Sequence, residues 1–142
     1  MRWLGLDVGA GTIGLAISDE KGVVAFPLRT LKRFGGKRDL ESVARAVEET
    51  QAEALVLGLP LGLDGREGSA ARRVKKLGED LATHTGLVVH YWDERFSTAG
   101  AERFLVEADL RRERRKEVID QAAAVFILQG FLDRNLAKKE DR

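Results

Sequence analysis

Three acidic residues are the side chains in this sequence most suited to chemistry. Asp7 interrupts the apolar run 3–8, Glu94 follows the apolar run 87–92, and Asp120 lies near the start of the last apolar stretch. A lone carboxylate is costly to bury, so Asp7 requires a cation, a metal or dense hydrogen bonding beside it. The partner of Asp7 therefore decides what this residue does.

The residue types that the chain lacks limit the kinds of metal site that these acids can form. It contains no cysteine and two histidines, His84 and His90, so thiolate sites and imidazole-rich metal sites are disfavoured. Carboxylate oxygens prefer hard cations such as Mg²⁺ or Mn²⁺. Two such ions about 3.5–4 Å apart can activate a water and stabilise the leaving oxygen in phosphodiester hydrolysis.

The order of elements predicts how the acids are positioned. Three short apolar runs with a turn at Asp19–Gly22 indicate an antiparallel meander before any helix; the runs are 3–8, 13–18 and 23–26. Two further runs, 54–59 and 87–92, alternate with helical patterns and indicate parallel strands. We expect an α/β fold with a five-stranded mixed sheet. If the first strand is central, Asp7, Glu94 and Asp120 converge at one end of it.

Helix signals occupy the remaining segments. Apolar stripes predict a helix capped by Asp39, a second ending at Gly86, a third capped by Ser97 or Thr98, and a last, largely buried helix over 118–132. The first two stripes are Leu40, Val43, Ala44, Val47 and Ala70, Val74, Leu77, Leu81. Pro27 closes the third strand or lies at an edge, and 30–37 is expected to be a basic loop.

The length of 142 residues fits one domain. We assign residues 1–134 to this domain and 135–142 to a frayed polar tail. The first strand begins at once and no run is long enough to cross a membrane, so we expect a cytoplasmic protein, monomer or homodimer.

Basic residues are segregated although the net charge is +1. Three clusters favour contact with a polyanion, although any one of them could be a solvated surface. They are Arg29, Lys32, Arg33, Lys37 and Arg38; Arg72, Arg73, Lys75 and Lys76; and Arg111, Arg112, Arg114, Arg115 and Lys116. In the third cluster, Arg114, Arg115 and Lys116 are the candidates for substrate binding.

Two other functions fit parts of the sequence. The segment Gly9–Gly14 matches the dinucleotide fingerprint G-x-G-x-x-G, but a strand-like run follows it instead of a helix. The same segment resembles the first phosphate loop of actin-like ATPases, which close two such lobes around ATP. A non-catalytic nucleic-acid-binding module is a third alternative. Taken singly, Glu94 fits a surface ion pair and Asp120 fits a helix N-terminus.

Several segments, in order and over nearly the whole chain, resemble the YqgF/RuvX family. They are Leu6–Gly9 with Ile13–Ala16 and Ser18-Asp19; Gly58–Leu61 with Asp64-Gly65 and Glu67-Gly68; Asp93–Thr98; and Asp120 with Ala122-Ala123 and Ile127–Gln129. The resemblance implies a ribonuclease-H-like fold and a nuclease with Asp7, Glu94 and Asp120 as metal ligands. It also implies either 5′-end processing of the small-subunit rRNA precursor or resolution of four-way DNA junctions.

Two positions depart from the pattern that this resemblance implies. Thr12 stands where a basic residue is usual, and Gly62 stands where asparagine is common. Our hypothesis from the sequence is a Mg²⁺- or Mn²⁺-dependent nuclease acting on structured nucleic acid. Arg95 is the candidate for contact with the scissile phosphate, supported by Ser97 or Thr98 at a helix start.

Overall fold

The computed structural model describes residues 1–62, 64–94 and 112–140, without the side chains of 112–120, 139 and 140. Five strands and three helices lie in this part of the chain. In order they are β1 (Trp3–Val8), β2 (Thr12–Ser18), β3 (Ala25–Lys32), α1 (Gly36–Thr50), β4 (Ala54–Leu59), α2 (Ser69–Thr85), β5 (Val88–Asp93) and α3 (Arg112–Glu140). The third helix predicted from the sequence, with its cap at Ser97 or Thr98, lies outside the described residues.

The sheet has the strand order β3-β2-β1-β4-β5. The pairs β1–β2 and β2–β3 are antiparallel, whereas β1–β4 and β4–β5 are parallel. The predicted five-stranded mixed sheet, three antiparallel strands followed by two parallel ones, is therefore confirmed. Strand β1 is central, as the convergence of the acids requires.

Both faces of β1 are covered, because alternate side chains of a strand point to opposite faces. Leu4 and Leu6 are fully buried in the core beneath α1 and α2. Trp3 packs in a second core beneath α3. A Cβ atom on Gly5 would lie 2.8 Å from the Cβ atom of Leu128. Glycine therefore lets α3 approach the central strand closely, on the same face as Trp3.

Strand β3 differs from the prediction. It runs from Ala25 to Lys32 and includes Pro27, whereas the sequence suggested a strand over 23–26 and a basic loop over 30–37. Proline is tolerated because β3 is an edge strand, where a missing N–H need not interrupt the sheet. The pairing with β2 shifts register between Leu15 and Ala16. The basic residues at the end of β3 are thus carried on a strand.

The start of α1 also differs. The helix is capped by Gly35 and Asp39 lies within its first turn, so the predicted N-cap at Asp39 is wrong. The carboxylate of Asp39 is 2% exposed and accepts hydrogen bonds from the Phe34 N–H and from Nε of Arg33. Asp39 consequently fixes the segment before the helix instead of capping it.

The other helices confirm the predicted pattern in part. In α2, Val74 and Leu81 are buried, but Ala71 replaces Ala70 in the stripe. Gly86 ends this helix at φ 74°, a conformation that favours glycine. Of the described side chains of α3, one face is buried and Phe126 on another is 42% exposed. The helix includes the predicted polar tail as far as Glu140.

None of the helices in the described part of the chain is both long and apolar enough to cross a bilayer.

Candidate active site

Asp7 lies at the carboxyl end of the central strand. It pairs with Gly14 of β2, and the preceding residue, Leu6, pairs with Leu57 of β4. Alternation along β1 places Asp7 on the same face as Gly5, the face covered by α3. The acid that the sequence singled out is thus held by strand pairing on both sides.

Glu94 directly follows β5 and lies on the same face of the sheet. Two residues before it, Trp92 packs against Gly130 of α3, so alternation carries Glu94 to the α3 face as well. The Glu94 carboxyl is hydrogen-bonded to Asp7. The predicted convergence of these two acids is observed, although they come from strands that do not pair with each other.

Gly58 provides the space in which the two acids meet. It lies in β4, between β1 and β5. A Cβ atom at this position would lie 2.8 Å from Cγ and 2.8 Å from Oε1 of Glu94, and 2.5 Å from Cδ1 of Ile127. Any larger residue would displace the glutamate. Sequence reasoning did not assign this role to Gly58, although a glycine inside an otherwise apolar strand is a signal for close approach.

The environment of Glu94 disfavours its charged form. Burial, the hydrogen bond to Asp7 and the negative charges of Asp7 and Asp93 raise the pKa of Glu94 to about 8. Among the described residues, all of these interactions raise the pKa of Glu94, and none lowers it. Two carboxyl groups in contact do not both ionise readily, so such a pair favours a proton or a cation between them.

The third predicted acid, Asp120, lies in α3, but its side chain is outside the described part of the structure. The backbone of α3 still shows where the turn that contains Asp120 lies relative to the sheet. The next residue, Gln121, donates a hydrogen bond to Oγ1 of Thr30. Thr30 pairs with Gly14, and Gly14 pairs with Asp7. The turn of α3 that contains Asp120 therefore crosses the sheet at the level of Asp7.

The proposed substrate-binding residues fall outside the described structure. Arg95, Ser97 and Thr98 are not among the described residues. Arg114, Arg115 and Lys116 belong to α3, but their side chains are likewise not described. Among the side chains that are described, no group of three His, Cys, Asp or Glu is placed to hold a metal ion.

A cleft of about 990 Å³ opens on the other face of the sheet, beside the carboxyl ends of β1 and β4. It brings together residues of the first two basic clusters. Arg33 and Lys37 come from the first, and Arg73 and Lys76 come from the second. The sequence indicated these clusters separately, but their meeting depends on the packing of α1 against α2.

Arg33 joins this cleft to the strand that carries Asp7. Its Nη1 donates to the carbonyl of Gly9 at 2.9 Å, and its backbone N–H donates to the carbonyl of Gly11 at 2.9 Å. The turn between β1 and β2, which leads into Thr12, is therefore held by an arginine that directly follows β3. Nothing in the sequence spacing indicated this contact.

Gly62, the other departure, lies in the loop after β4. Its N–H donates to the carbonyl of Arg66, and its own carbonyl accepts from the N–H of Gly65. Asp64 accepts a hydrogen bond from the Arg66 N–H in the same loop. Backbone groups thus close a turn at the position where an asparagine side chain was expected.

Solved structures identify the class of protein to which this fold belongs. RuvC of T. thermophilus in complex with a Holliday junction substrate matches with a TM-score of 0.55, covering 95% of this chain and 96% of that chain at 17% identity. The fowlpox virus Holliday junction resolvase matches with a TM-score of 0.55, covering 94% and 99% at 15% identity. This chain therefore shares its fold with these two proteins, and the predicted ribonuclease-H-like fold is confirmed.

The family is defined more closely by sequence. The family model RuvX, described as Holliday junction resolvase, matches residues 1–134, and this chain belongs to that family. The "Putative pre-16S rRNA nuclease" of Myxococcus xanthus is 50% identical over 133 residues, covering 94% of this chain and 88% of that protein. The protein of the same name from Clostridioides difficile is 48% identical, covering 93% and 94%. The resemblance noted from the sequence is confirmed.

Proposed function

We propose that this protein is a divalent-metal-dependent nuclease in which Asp7, Glu94 and Asp120 are the metal ligands. The observation that carries the proposal is the contact between Asp7 and Glu94 on the α3 face of the sheet. Two carboxyl groups pressed together lower the stability of the fold unless a proton or a cation lies with them. A site that places acids in this way is suited to bind a cation from solution.

The donor set fits Mg²⁺ or Mn²⁺. Carboxylate oxygens are the ligands that these hard cations prefer. A divalent ion held there would supply positive charge beside the scissile phosphate and favour ionisation of the attacking water. Asp120 is proposed as the third oxygen donor, and the contact of the next residue, Gln121, with Thr30 of β3 supports this assignment.

The residues of this chain prepare the site before substrate arrives. Strand pairing on both sides of β1 fixes the backbone of Asp7, and Gly58 leaves the volume that the Glu94 side chain occupies. Glu94 would lose its proton on binding a cation, because carboxyl groups ligate metals in their ionised form. Rigid placement of this kind is what metal-assisted phosphoryl chemistry requires of a protein.

Basic side chains position the nucleic acid in this proposal. Arg95 contacts the scissile phosphate, with Ser97 or Thr98 beside it. Arg114, Arg115 and Lys116 contact flanking phosphates. Contacts of this type contribute affinity and register more than sequence choice.

Precursor rRNA is the first candidate substrate. The relatives that are 48–50% identical carry the name of a pre-16S rRNA nuclease, and 5′-end processing of that precursor in ribosome biogenesis is the corresponding role. It would place the protein in the cytoplasm.

A four-way DNA junction is the second candidate. The family is described as Holliday junction resolvase, the solved T. thermophilus RuvC is in complex with a Holliday junction substrate, and the fowlpox virus protein is a Holliday junction resolvase. Symmetric cleavage of a junction needs two active sites, so this role requires a homodimer, whereas rRNA processing is compatible with a monomer.

Cleavage of both substrates by the purified protein tests the proposal. We expect cutting with Mg²⁺ or Mn²⁺ and none with chelator. Asp7→Asn should reduce the rate by roughly a thousandfold or more, because it removes a ligand of the cation that stabilises the transition state. Circular dichroism should show an unchanged fold, since asparagine has nearly the same shape.

Asp133→Asn is the matched control. Asp133 is exposed on α3 and bonds to Gln129, so this variant should cut like the wild type. Undiminished cutting by Asp7→Asn would contradict the metal-ligand assignment. Salt-sensitive binding without cleavage at any metal concentration would favour the non-catalytic module, and nucleotide hydrolysis without nucleic acid would favour the ATPase.

A further inference from the structure

The cleft on the α1 and α2 face carries an excess of positive charge. Of the cations that line it, Arg33 pairs with Asp39 at 3.1 Å and Lys76 pairs with Asp80 at 3.1 Å. Lys37 and Arg73 also line the cleft, and neither forms an ion pair with a described residue. The cleft therefore presents two uncompensated cations to solvent, an arrangement that favours anionic ligands.

An aromatic ring stands at the rim of the same cleft. Phe34 lines it and is 58% exposed, although a phenylalanine is normally buried. The guanidinium carbon of Arg38 lies 4.6 Å from the ring centroid, and Nζ of Lys32 lies 5.9 Å from it. An exposed ring surrounded by cations has the composition of a surface that stacks a nucleobase and contacts its phosphates.

The ring is presented by a firmly held segment. The Phe34 N–H donates to Oδ1 of the buried Asp39 at 2.9 Å, and Gly35 and Gly36 follow with φ of 87° and 52°. Hydrogen bonding of the Phe34 N–H on one side and the start of α1 on the other hold the backbone that carries the ring. Such preorganisation lowers the entropy cost of binding.

The same segment connects the cleft to the candidate active site. Arg33 pairs with Asp39 and also donates to the carbonyl of Gly9, two residues after Asp7 in the chain. A strand of nucleic acid in the cleft would lie beside the β1–β2 turn, on the opposite face of the sheet from Glu94. It could therefore belong to the same substrate molecule as the bond that is cut.

We propose that this cleft binds unpaired nucleotides, with Phe34 stacking on a base and Lys37 and Arg73 contacting phosphates. The ring face of a base is accessible to a protein side chain when the base is unstacked, as in single strands, loops and ends. The inference rests on the proposed function in that the ligand is nucleic acid. It adds that the substrate has an unpaired segment next to the site of cleavage.

Binding measured by fluorescence anisotropy in chelator tests this proposal without any cleavage. The probe is a labelled single-stranded RNA of about 12 nucleotides, within the site sizes usual for such grooves. We expect tighter binding to the single strand than to a duplex of the same sequence. Phe34→Ala should weaken binding to the single strand roughly 5- to 100-fold, the usual effect of losing one stacked base. Phe34→Trp should restore it.

Phe26→Ala is the matched control for loss of an exposed ring. Phe26 is 51% exposed and lies on β3, outside the cleft, so its replacement should leave affinity unchanged. Equal effects of Phe26→Ala and Phe34→Ala would overturn the stacking assignment. Equal affinity for single strand and duplex would overturn it as well.

The salt dependence of affinity separates the two kinds of contact. A Lys37→Ala, Arg73→Ala double variant should make the slope of log affinity against log salt shallower by about 1.4, because each phosphate contact on a single strand contributes about 0.7. Phe34→Ala should leave this slope unchanged. An unchanged slope in the double variant would overturn the phosphate assignment. General damage to the fold would lower affinity without specifically reducing its dependence on salt.

Two further outcomes keep the proposals distinct. If ATP binds as tightly as the oligonucleotide, the cleft is a nucleotide pocket and the inference is wrong. If the single strand binds as expected but no substrate is cut with metal, the proposed nuclease fails while the cleft assignment stands. Cleavage that depends on Asp7 but is indifferent to Phe34 would overturn the cleft assignment alone.

Discussion

Two carboxyl groups on opposite faces of the sheet are held in opposite ways. Asp39 is buried beneath the basic cleft, and burial alone would raise its pKa. Hydrogen bonds from Phe34, Arg33 and Gly35, with the charge of Arg33, outweigh burial and hold this pKa below its usual value. Glu94 is also partly buried, but its partner is Asp7, and its pKa rises to about 8.

This difference separates structural acids from candidate ligands. The fold itself supplies the cation for Asp39, so the charged form of that carboxylate is favoured and anchors a loop. Glu94 meets another acid, so the pair gains most from a cation that comes from outside the chain. A perturbed pKa is thus informative together with the group that causes the shift.

Glu94→Gln should have the largest effect on activity. Glutamine keeps the shape and can donate a hydrogen bond to Asp7, as protonated Glu94 does, but it is a poor ligand for a divalent cation. We expect cleavage to fall by roughly a thousandfold or more, with the fold retained. Rates with saturating Mg²⁺ or Mn²⁺, beside thermal unfolding, measure both effects.

The exposed Glu53 offers the matched control, Glu53→Gln, which should leave cleavage unchanged. A Glu94→Gln variant that cuts at the wild-type rate would remove Glu94 from the metal site. Glu94 and Asp39 would then differ only in how they pack in the fold, and not in whether they bind a metal ion.

Gly58→Ala should disturb the acidic site by shape without altering any charge. The new methyl group would meet Cδ1 of Ile127 at 2.5 Å and Cγ of Glu94 at 2.8 Å. We expect a loss of about 1–3 kcal/mol in the free energy of unfolding, as for other overpacked sites, with weaker metal-dependent cleavage. Urea unfolding and cleavage rates check the two expectations.

Gly68→Ala is the control for replacing a glycine where the added methyl group meets no other atom. Gly68 precedes α2, and no atom lies within 4 Å of its added Cβ. Its replacement should cost less than about 1 kcal/mol. If both variants cut normally, Glu94 does not need the space above Gly58.

Asp39→Asn should lower the free energy of unfolding and leave the rate of cleavage unchanged. The amide would keep an oxygen for the Phe34 N–H but turn a donor towards Arg33, so the ion pair is lost. We expect about 1–3 kcal/mol of destabilisation, since Asp39 is buried whereas Arg33 is partly exposed. Chemical unfolding measures it. Asp80→Asn, which breaks the exposed pair with Lys76, should cost less than about 0.5 kcal/mol; an equal loss would contradict the structural role of Asp39.

The pH dependence of stability should show the same contrast between Glu94 and Asp39. In chelator, the raised pKa of Glu94 means that its protonated form stabilises the fold below its ordinary value of 4.5, and this contribution is lost as pH rises towards about 8. Wild-type stability should therefore fall relative to Glu94→Gln over that interval.

For Asp39 the sign is reversed. Its lowered pKa contributes stability above the ordinary value of 3.8, and that contribution is lost as pH falls through the folded pKa. The destabilisation caused by Asp39→Asn should shrink below about pH 4. Unfolding curves at several pH values check both slopes, and slopes of the same sign would refute the contrast.

Much of the fold could be predicted because local patterns agree with it. The apolar runs of β1, β4 and β5 and the turn after β2 define five strands in the observed order. The end of β3 could not be predicted, because Pro27 is acceptable only at an edge, and edge position is a property of the assembled sheet. The cap of α1 was missed because Asp39 accepts hydrogen bonds from Arg33 and Phe34, which lie between β3 and α1.

The candidate site also has features that the sequence predicted and features that only the structure shows. The type and spacing of Asp7 and Glu94 indicated an oxygen-ligand metal site, and that expectation remains a prediction for experiment. The role of Gly58 depends on distances between strands that are far apart in the chain. Arg33 and Asp39 meet across the short segment that joins β3 to α1. Asp120 keeps its assignment as a proposal, since the structure describes its helix and not its side chain.

The sequence by itself determined the class of fold, the family and the acids worth testing, because burial patterns and residue chemistry are local properties. Only the tertiary structure decided which groups meet. The raised pKa of Glu94, the lowered pKa of Asp39 and the joining of two basic clusters around Phe34 all arise from contacts between elements. Electrostatic energies depend on distance and burial, and neither exists until the chain has folded.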